Sequence, residues 1–579
     1  MADKKQEVVD MLFELAELTV IEEGDVQSFR VRAYENAAHG VSASTVDLEP
    51  LSVKELEQIE NVGKSTAEKI REFLDTGHVT KLDALRAKHP PSVVALLRVP
   101  GLGPKALKRL RVELDVQSID DLRAALAEGR LRELPGFGQK SEEKLAKALE
   151  RLDAEGGMDR TPIAAALPLA SRIAASLREL DGVSDVTICG SIRRFLETIG
   201  DVDIVVSADD PAPVMDAVVA HSAVESVLAH GAAKTSVLTK GGLQVDVRVV
   251  SADQLGAALV YFTGSKAHNI HLRWRALARG LTLNEYALSE IETGNVVARE
   301  TESEIYEALG LPWIAPAMRE DSGEIEAAEA GTLPPPLGPV TGDFHLHTTV
   351  SRDGRATLEE MAASAKERGL AVLAITDHGA GTLSGASAEA LLEQRAAVRA
   401  LQAELGDSLL LLHGVELNIT RDGGLDYDAE FRAQFDWCVA SIHDNFDLPA
   451  EAQTRRVLAA IADPAVKMIG HLSSRMIGHR PPIEIDLDAV FAAASEKGVA
   501  IEVNGGLPRL DLPVDWLRRA RSYDFPILLS SDAHNTAELA NVEFARLNAT
   551  RAWVPPERVP NVWPAEQLKA WVVGRLEGA

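Results

Sequence analysis

The chain has 579 residues, with a hydrophobic fraction of 46% and a charged fraction of 26%, which is ordinary for a globular protein and long enough for roughly three to five domains. No apolar run approaches the ~20 residues of a membrane span, no apolar stretch of signal-peptide type follows Met1-Ala2-Asp3-Lys4-Lys5, and two cysteines, Cys189 and Cys438, exclude a disulfide scaffold or a cysteine-built metal site, so a cytoplasmic protein is expected. The net charge of −28 taken whole argues against nucleic acid, yet segments 1–150, 151–318 and 319–579 carry −5, −8 and −15, and the first holds an acid-free basic run at 98–111.

Residues 1–155 read as all-helical: Val8, Val9, Leu12, Leu15, Ala16 and Val20 keep helical spacing. Three segments repeat a turn followed by a lysine-bearing helix start: Ile59-Glu60-Asn61-Val62-Gly63-Lys64, Val99-Pro100-Gly101-Leu102-Gly103-Pro104-Lys105 and Leu134-Pro135-Gly136-Phe137-Gly138-Gln139-Lys140. Glycine lacks Cβ, so such a turn opens its backbone N–H groups to close approach, and the following helix adds its positive end. That chemistry suits one DNA phosphate held without reading sequence. The repeats resemble the helix-hairpin-helix motif, which puts forward Gly63, Gly101, Gly103, Lys105, Gly136, Gly138 and Lys140 as DNA contacts; the first copy departs in carrying Asn61 where the motif usually has glycine.

Residues 156–318 change character. β-Branched runs at 186–189, 202–206 and 243–250, with a helical stretch at 162–180, predict an α/β or α+β module. Cys189-Gly190-Ser191-Ile192-Arg193-Arg194 is followed by Gly200-Asp201-Val202-Asp203. Asp201 and Asp203 stand two apart on an expected strand and so share a face. Asp246 lies in a second strand-like run, Gln244-Val245-Asp246-Val247-Arg248. Three carboxylates on neighbouring strands can hold two Mg²⁺ or Mn²⁺ ions about 3.5–4 Å apart, one beside an attacking 3′-hydroxyl and one on a triphosphate. On a buried strand, two unpaired carboxylates are costly without a cation. Gly190 and Ser191, ahead of a helix, suit phosphate binding, and Arg194 suits the charge of a triphosphate.

Residues 319–341 read as a semi-rigid or disordered linker: 320–330 is acidic and alanine-rich, and Pro334, Pro335, Pro336 and Pro339 follow. Residues 342–579 alternate helical patterns with short apolar strands at 371–376, 409–412, 439–442, 466–469, 499–503 and 527–531. This predicts a parallel sheet or barrel with functional groups at the C-terminal strand ends. His345, His347, Asp353, His378, Glu416, His443, His471, Asp532 and His534 fall mostly at such ends, and six histidines with three carboxylates exceed what one ion accepts. A cluster of two or three Zn²⁺, Mn²⁺ or Fe ions is expected, its chemistry metal-assisted attack on a phosphoester. His413 and His479 fall outside the pattern, and Arg421, Arg475 and Arg509 are candidates for backbone phosphate near the cluster.

The segment around Asp201 and Asp203 resembles the palm of the family X DNA polymerases, the group that includes DNA polymerase beta. The likeness continues through Tyr261-Phe262-Thr263-Gly264-Ser265, Asn269, Arg273 and Asn284-Glu285-Tyr286. It implies that Asp201, Asp203 and Asp246 are catalytic and that Tyr261, Phe262 and Gly264 line the sugar and discriminate against a 2′-hydroxyl. It further implies that Asn269 touches the minor-groove edge of the incoming nucleotide, and that Arg273 contacts the template strand, with Arg248 and Tyr286 as further DNA contacts. A minor-groove donor does find an acceptor on every correct pair. Phe195 departs from the family's glycine and is expected to crowd the triphosphate or change the loop. The first helices resemble the family's lyase domain; Ala67-Glu68-Lys69-Ile70 matches the segment of its Schiff-base lysine, so Lys69 is the candidate nucleophile, with Ser65 standing for a second family lysine. The C-terminal pattern resembles the PHP (polymerase and histidinol phosphatase) domain, a distorted (β/α)7 barrel, and its nine ligands map onto the nine residues above.

Together these resemblances are those of the bacterial family X DNA polymerases. They imply a lyase-like helical domain at 1–80, fingers at 81–155, a palm at 156–250, a thumb at 251–318, the linker at 319–341 and a PHP domain at 342–579. The expected function is templated gap filling in DNA repair, from gapped or nicked DNA and dNTPs, with a 3′–5′ exonuclease or 3′-end phosphoesterase in the PHP domain. Apurinic-site endonuclease and 5′-deoxyribose phosphate lyase are further expectations, and the chain is expected to work as a monomer away from membranes. Two alternatives stand beside this one: a nuclease or phosphatase whose palm only binds DNA, motivated by Phe195, and a non-catalytic DNA-binding scaffold, against which the clustered charges weigh.

Overall fold

The computed structural model describes residues 2–577 apart from 25–27, 45, 47, 60, 97–98, 100–101, 135–136, 139–141, 143–144 and 147–159. Two compact units divide the chain, 1–159 and 160–579. No helix among the described residues is long and apolar enough to cross a membrane.

The first unit is helical. Ala2–Glu23 and Phe29–Ala43 pack together and onto Lys64–Thr76, Thr80–Lys88 and Pro104–Leu114. The spaced apolar residues Leu12, Leu15, Ile21, Leu56, Ile70, Leu107 and Leu110 meet in one core. Two of the expected hairpin turns cap helices: Gly63 precedes Lys64–Thr76, and Gly103 precedes Pro104–Leu114, whose first residue is proline.

The second unit begins with a five-stranded mixed sheet in the order Val183–Ile188, Asp201–Ala208, Gln244–Val250, Lys234–Thr239, Val224–His230. Helix Ile163–Arg178 covers it through Ala166, Ala170, Ile173 and Leu177, a stripe at helical spacing. Helices Leu255–Thr263 and Lys266–Leu277, a three-stranded sheet and helix Glu302–Ala308 follow. Residues 319–333 do not behave as the linker the composition suggested. Arg319 and Glu324 are fully buried: Arg319 Nη1 donates to Glu302 at 2.7 Å, and Glu324 accepts from Asp321 N at 2.7 Å and lies 2.6 Å from His268 Nδ1. The acidic, alanine-rich run is ordered because its charges find partners and its Ile325 and Ala328 join an apolar cluster.

From residue 342 onward seven parallel strands, each hydrogen-bonded to the next in chain order, form one sheet. The edges meet: His347 N donates to Ala533 O at 2.8 Å and Asp532 N to His345 O at 2.9 Å, so the sheet is a nearly closed barrel. The strands are apolar on both faces, as burial beneath covering helices requires.

Candidate active sites

In the first sheet, Asp201–Ala208 and Gln244–Val250 run parallel with Asp203 opposite Asp246. Alternation then puts Asp201, Asp203 and Asp246 on one side of one end. The strand is less enclosed there than expected, since Asp201 is exposed and Asp203 and Asp246 are half-buried. Burial pushes Asp203 up to about 7, and the charges of Asp201 and Asp246 push the same way. Burial would also raise Asp246, but Lys234, with Nζ 2.8 Å away, and the Gln244 amide at 2.9 Å bring it below its ordinary value. Carboxylates that resist ionising together suit a divalent cation, and all-oxygen donors suit Mg²⁺ or Mn²⁺.

Gly190 closes this site from the neighbouring turn. At φ 60° it lies so near that a Cβ would sit 2.5 Å from Asp203 Oδ2. The Ser191 hydroxyl is buried with no hydrogen-bond partner, as a phosphate-binding donor would be. Arg194 is engaged: its Nε lies 2.8 Å from Glu320, and it also donates to Thr263 O. Tyr261 and Phe262 meet edge-on with ring centroids 5.0 Å apart; Arg273 lies 5.7 Å from the Tyr261 ring and Arg248 4.9 Å from Phe262. Asn269 donates to Tyr261 O at 2.6 Å, and its Oδ1 is buried without a partner. Gly264, at φ 67°, approaches Arg194, and Tyr286 is exposed. Phe195 does not crowd this site. It keeps the left-handed backbone natural to glycine (φ 59°), while its ring is buried against Phe544 of the barrel.

At the barrel's C-terminal strand ends the nine expected residues converge. Glu416 is fully buried at the centre, with His443 Nε2 at 3.1 Å, His471 Nε2 at 3.0 Å, His345 Nε2 at 3.4 Å and His378 Nδ1 at 2.6 Å. His347 Nε2 lies 3.2 Å from Asp532, and Asp353 is 3.4 Å from His378 and 3.7 Å from His534. Three triads bring their donor atoms within 4.8 Å of one another: His347, His378 and His534; His345, His347 and Asp532; His378, Glu416 and His443. Several of these atoms, including His345 Nε2, His378 Nδ1 and Glu416 Oε2, are close to neighbours yet not aligned as hydrogen bonds, so they are buried polar atoms facing common space. Imidazole with carboxylate at this density fits Zn²⁺, Mn²⁺ or Fe. Charge follows the same geometry. Burial alone lowers a histidine, but the surrounding carboxylates carry His345 well above its ordinary value and His378 up to about 10, whereas His347, enclosed and beside His378, falls to about 4. Glu416 and Asp532 lie well below the carboxylate range despite burial, because imidazoles surround them.

In the helical unit, Lys69 Nζ lies 2.8 Å from Ser65 Oγ, 2.9 Å from Ser65 O and 5.7 Å from the Tyr34 ring centre. Burial lowers its pKa. Gly63 and Gly103 have ordinary negative φ, and nothing among the described residues stands where a Cβ of Gly63, Gly103 or Gly138 would be. Asn61 takes φ 62°, a conformation asparagine tolerates in glycine's place. Lys105 is exposed; Gly101, Gly136 and Lys140 lie outside the described residues.

Family descriptions match the chain in the same order: "Helix-hairpin-helix domain" over 3–79, "SAM-like Helix-hairpin-helix tandem" over 93–151, "DNA polymerase beta palm" over 160–248, "DNA polymerase beta thumb" over 258–320 and "PHP domain" over 343–506. A Bacillus subtilis protein named DNA polymerase/3′-5′ exonuclease PolX is 34% identical over 548 residues, spanning 94% of this chain and 95% of its own length. The chain belongs to the PolX family of DNA polymerases. Two shorter relatives align with part of it: a probable phosphatase of Caldicellulosiruptor saccharolyticus, 29% identical over 38% of this chain and 90% of itself, and the probable phosphatase YcdX of Shigella dysenteriae, 28% identical over 39% and 91%.

Around the PHP centre of this PolX chain stand residues the sequence did not single out. Glu502, fully buried, lies 2.7 Å from His345 Nδ1 and accepts from the His471 main-chain N–H, which orients the His345 imidazole and anchors the His471 backbone. Asn418 holds His443 Nδ1 at 3.3 Å, and Asn504 donates to Asp532 at 3.1 Å. His413 stacks on Phe435, lowered by burial to about 4, and His479 is exposed. Of the arginines expected near phosphate, Arg509 sits 3.9 Å from Asp532 and Arg421 is exposed, but Arg475 is buried and forked onto Glu197 of the palm. Four of the five N–H donors of this guanidinium are taken by a carboxylate and two carbonyls, so it is committed to holding the fold rather than offered to DNA.

Proposed function

We propose that the chain fills short gaps in DNA by templated nucleotidyl transfer and trims or cleans 3′ ends at its second centre, as a cytoplasmic monomer. Its substrates in this reading are gapped or nicked DNA and deoxynucleoside triphosphates. The observation that carries the reading is the presence in one unit of an open three-carboxylate edge beside an unpartnered Ser191 hydroxyl and of a nine-residue cluster centred on the buried Glu416.

Asp201, Asp203 and Asp246 would hold Mg²⁺ or Mn²⁺, and the nine PHP residues two or three Zn²⁺, Mn²⁺ or Fe ions; when bound, such ions acidify the attacking hydroxyl or water and offset phosphate charge. The remaining work falls to the chain. Gly190 admits the triphosphate beside Asp203, and Ser191 donates to a phosphate oxygen. Arg194 joins after exchanging Glu320 for phosphate. Tyr261 and Phe262 wall the sugar, Asn269 reads the minor-groove edge, and Arg248, Arg273 and Tyr286 steer the DNA. In the PHP domain, Glu502 keeps the His345 imidazole turned toward the scissile phosphate and holds the backbone that carries His471. The hairpin turns hold backbone phosphates through N–H groups. The packing of the Phe195 ring on Phe544 supports a working palm over one that only binds DNA.

Lys69 extends the reading to 5′-deoxyribose phosphate removal: its amine, less basic through burial, condenses with the sugar aldehyde, releasing water; loss of a C2′ proton then breaks the C3′–O bond, the DNA leaves with a 5′-phosphate, and hydrolysis of the imine frees the sugar phosphate and the lysine. Borohydride should trap this adduct in wild type and not in Lys69→Arg. Cleavage beside apurinic sites is assigned to the PHP centre. The main test uses a 5′-labelled primer on one-nucleotide-gapped DNA with Mg²⁺ or Mn²⁺. One-nucleotide extension with dNTPs and progressive shortening without them are expected; an absence of dNTP-dependent extension contradicts the reading.

A further inference from the structure

The palm and the PHP domain are joined by residues a few positions along the chain from Ser191 and from His471. Following the phosphate turn, Phe195 is buried and stacks on Phe544 at 5.7 Å with ring planes 21° apart. Phe544 belongs to helix Val542–Arg551, whose Asn548 donates to Leu512 O at 2.8 Å. Two residues after Phe195, Glu197 accepts a two-pronged bond from Arg475, at 3.0 and 2.9 Å. The same guanidinium donates to Arg509 O at 2.8 Å and to Leu510 O. Arg475 therefore links three segments: the palm through the Glu197 side chain, its own loop at 471–475, and the backbone of the loop at 509–511.

Both PHP loops bear on the metal-ligand cluster. His471 opens the first. Ser473 stitches it to the second through Asp511, at 3.1 Å to the amide and 2.6 Å to the hydroxyl. Arg509, on the second, faces Asp532 at 3.9 Å. His471, Ser474, Leu510 and Asp532 all have positive φ, at 24°, 50°, 40° and 53°. Non-glycine residues hold such conformations only where surrounding contacts enforce them. Arg475 clamps these loops together beside the Ser473–Asp511 bonds, and its side-chain carboxylate partner comes from the other domain.

We infer that Glu197, a palm residue, is a positioning residue for the PHP centre: through Arg475 it holds the loops that aim His471 and support Asp532. It touches no reacting atom. The inference rests on the reading of the nine-residue cluster as a phosphoesterase site, but its loop-holding part is measurable without activity.

The test compares full-length wild type with Glu197→Gln, Glu197→Asp and Arg475→Lys. In metal-stripped protein, amide hydrogen exchange is followed in peptides spanning 471–475 and 505–512. Glu197→Gln and Arg475→Lys should speed exchange there by about fivefold or more while leaving palm peptides 201–208 unchanged, and Glu197→Asp should restore most protection. With Mn²⁺, 3′ shortening should fall about five- to tenfold in the first two variants, with gap filling within twofold of wild type. Unchanged exchange in both loops overturns the inference, as does an equal loss of shortening and gap filling. If wild type shows no shortening at all, the phosphoesterase reading fails, and exchange alone decides whether Glu197 holds the loops.

Discussion

The two centres carry charge in opposite ways. In the palm, three carboxylates crowd one sheet end, one exposed, and only Asp246 is paired, with Lys234. In the PHP domain, Glu416 and Asp532 are enclosed by imidazoles that balance them and are in turn held by Glu502, Asn418 and Asn504. An exposed carboxylate cluster gains from a cation that arrives with substrate and leaves with product. A cluster of nine candidate ligands, five of them buried and held by a supporting shell, would keep its ions as part of the fold. The difference teaches that, on the proposed reading, the open palm carboxylates suit ions that exchange with substrate and the enclosed PHP cluster suits ions that stay.

The sharpest way to break that contrast is at Glu416. Glu416→Ala should abolish 3′ shortening, by on the order of a thousandfold, and deplete bound metal in purified protein, with gap filling within twofold. Assayed by elemental analysis and a gel, retention of all metal would contradict it. Next in size is Phe195→Gly, the family's residue. Loss of a buried ring should cost about 2–3 kcal/mol, read as a lower melting midpoint, with the dNTP KM unchanged. A rise in affinity for dNTP would instead mean that the ring crowds the triphosphate.

Acidity gives a smaller effect. Folded Asp203 is raised to about 7, chiefly by burial and then by Asp201 and Asp246, whereas the unfolded carboxyl titrates near 4. The stability tied to its proton is therefore complete below about pH 4 and lost as pH rises through about 7. Metal-free Asp203→Asn should gain on metal-free wild type across that window, reaching on the order of 1–2 kcal/mol at pH 8. A gap independent of pH would contradict the crowding of charge. The smallest effect is at Lys234. Lys234→Ala removes a resident cation from Asp246 and should lower, by roughly threefold, the Mg²⁺ needed for half-maximal incorporation; an increased requirement would show that the lysine assists binding.

Much of both centres was legible because local spacing carries it. Asp201 and Asp203 read as one face from a two-residue period, and His345, His378, His443, His471 and His534 announced themselves at strand ends. What could not be read was long-range. Glu502 looks like one more residue in an apolar strand, and only the fold sets it against His345, 157 positions away. Lys234 reaches Asp246 across a strand pair. The pairing of Glu197 with Arg475 spans 278 positions, so an arginine near a phosphoesterase centre read as a DNA contact. Composition misled at 319–333, where Arg319 and Glu324 looked solvated and are instead buried with Glu302 and His268.

The central claim is that two chemically separate metal centres act on one DNA 3′ end. It is tested most directly on a 5′-labelled primer in one-nucleotide-gapped DNA, comparing wild type, Asp201→Ala/Asp203→Ala and His345→Ala/His347→Ala with Mn²⁺. The account predicts extension lost only in the first variant and shortening lost only in the second. Loss of both reactions in either folded variant would contradict it.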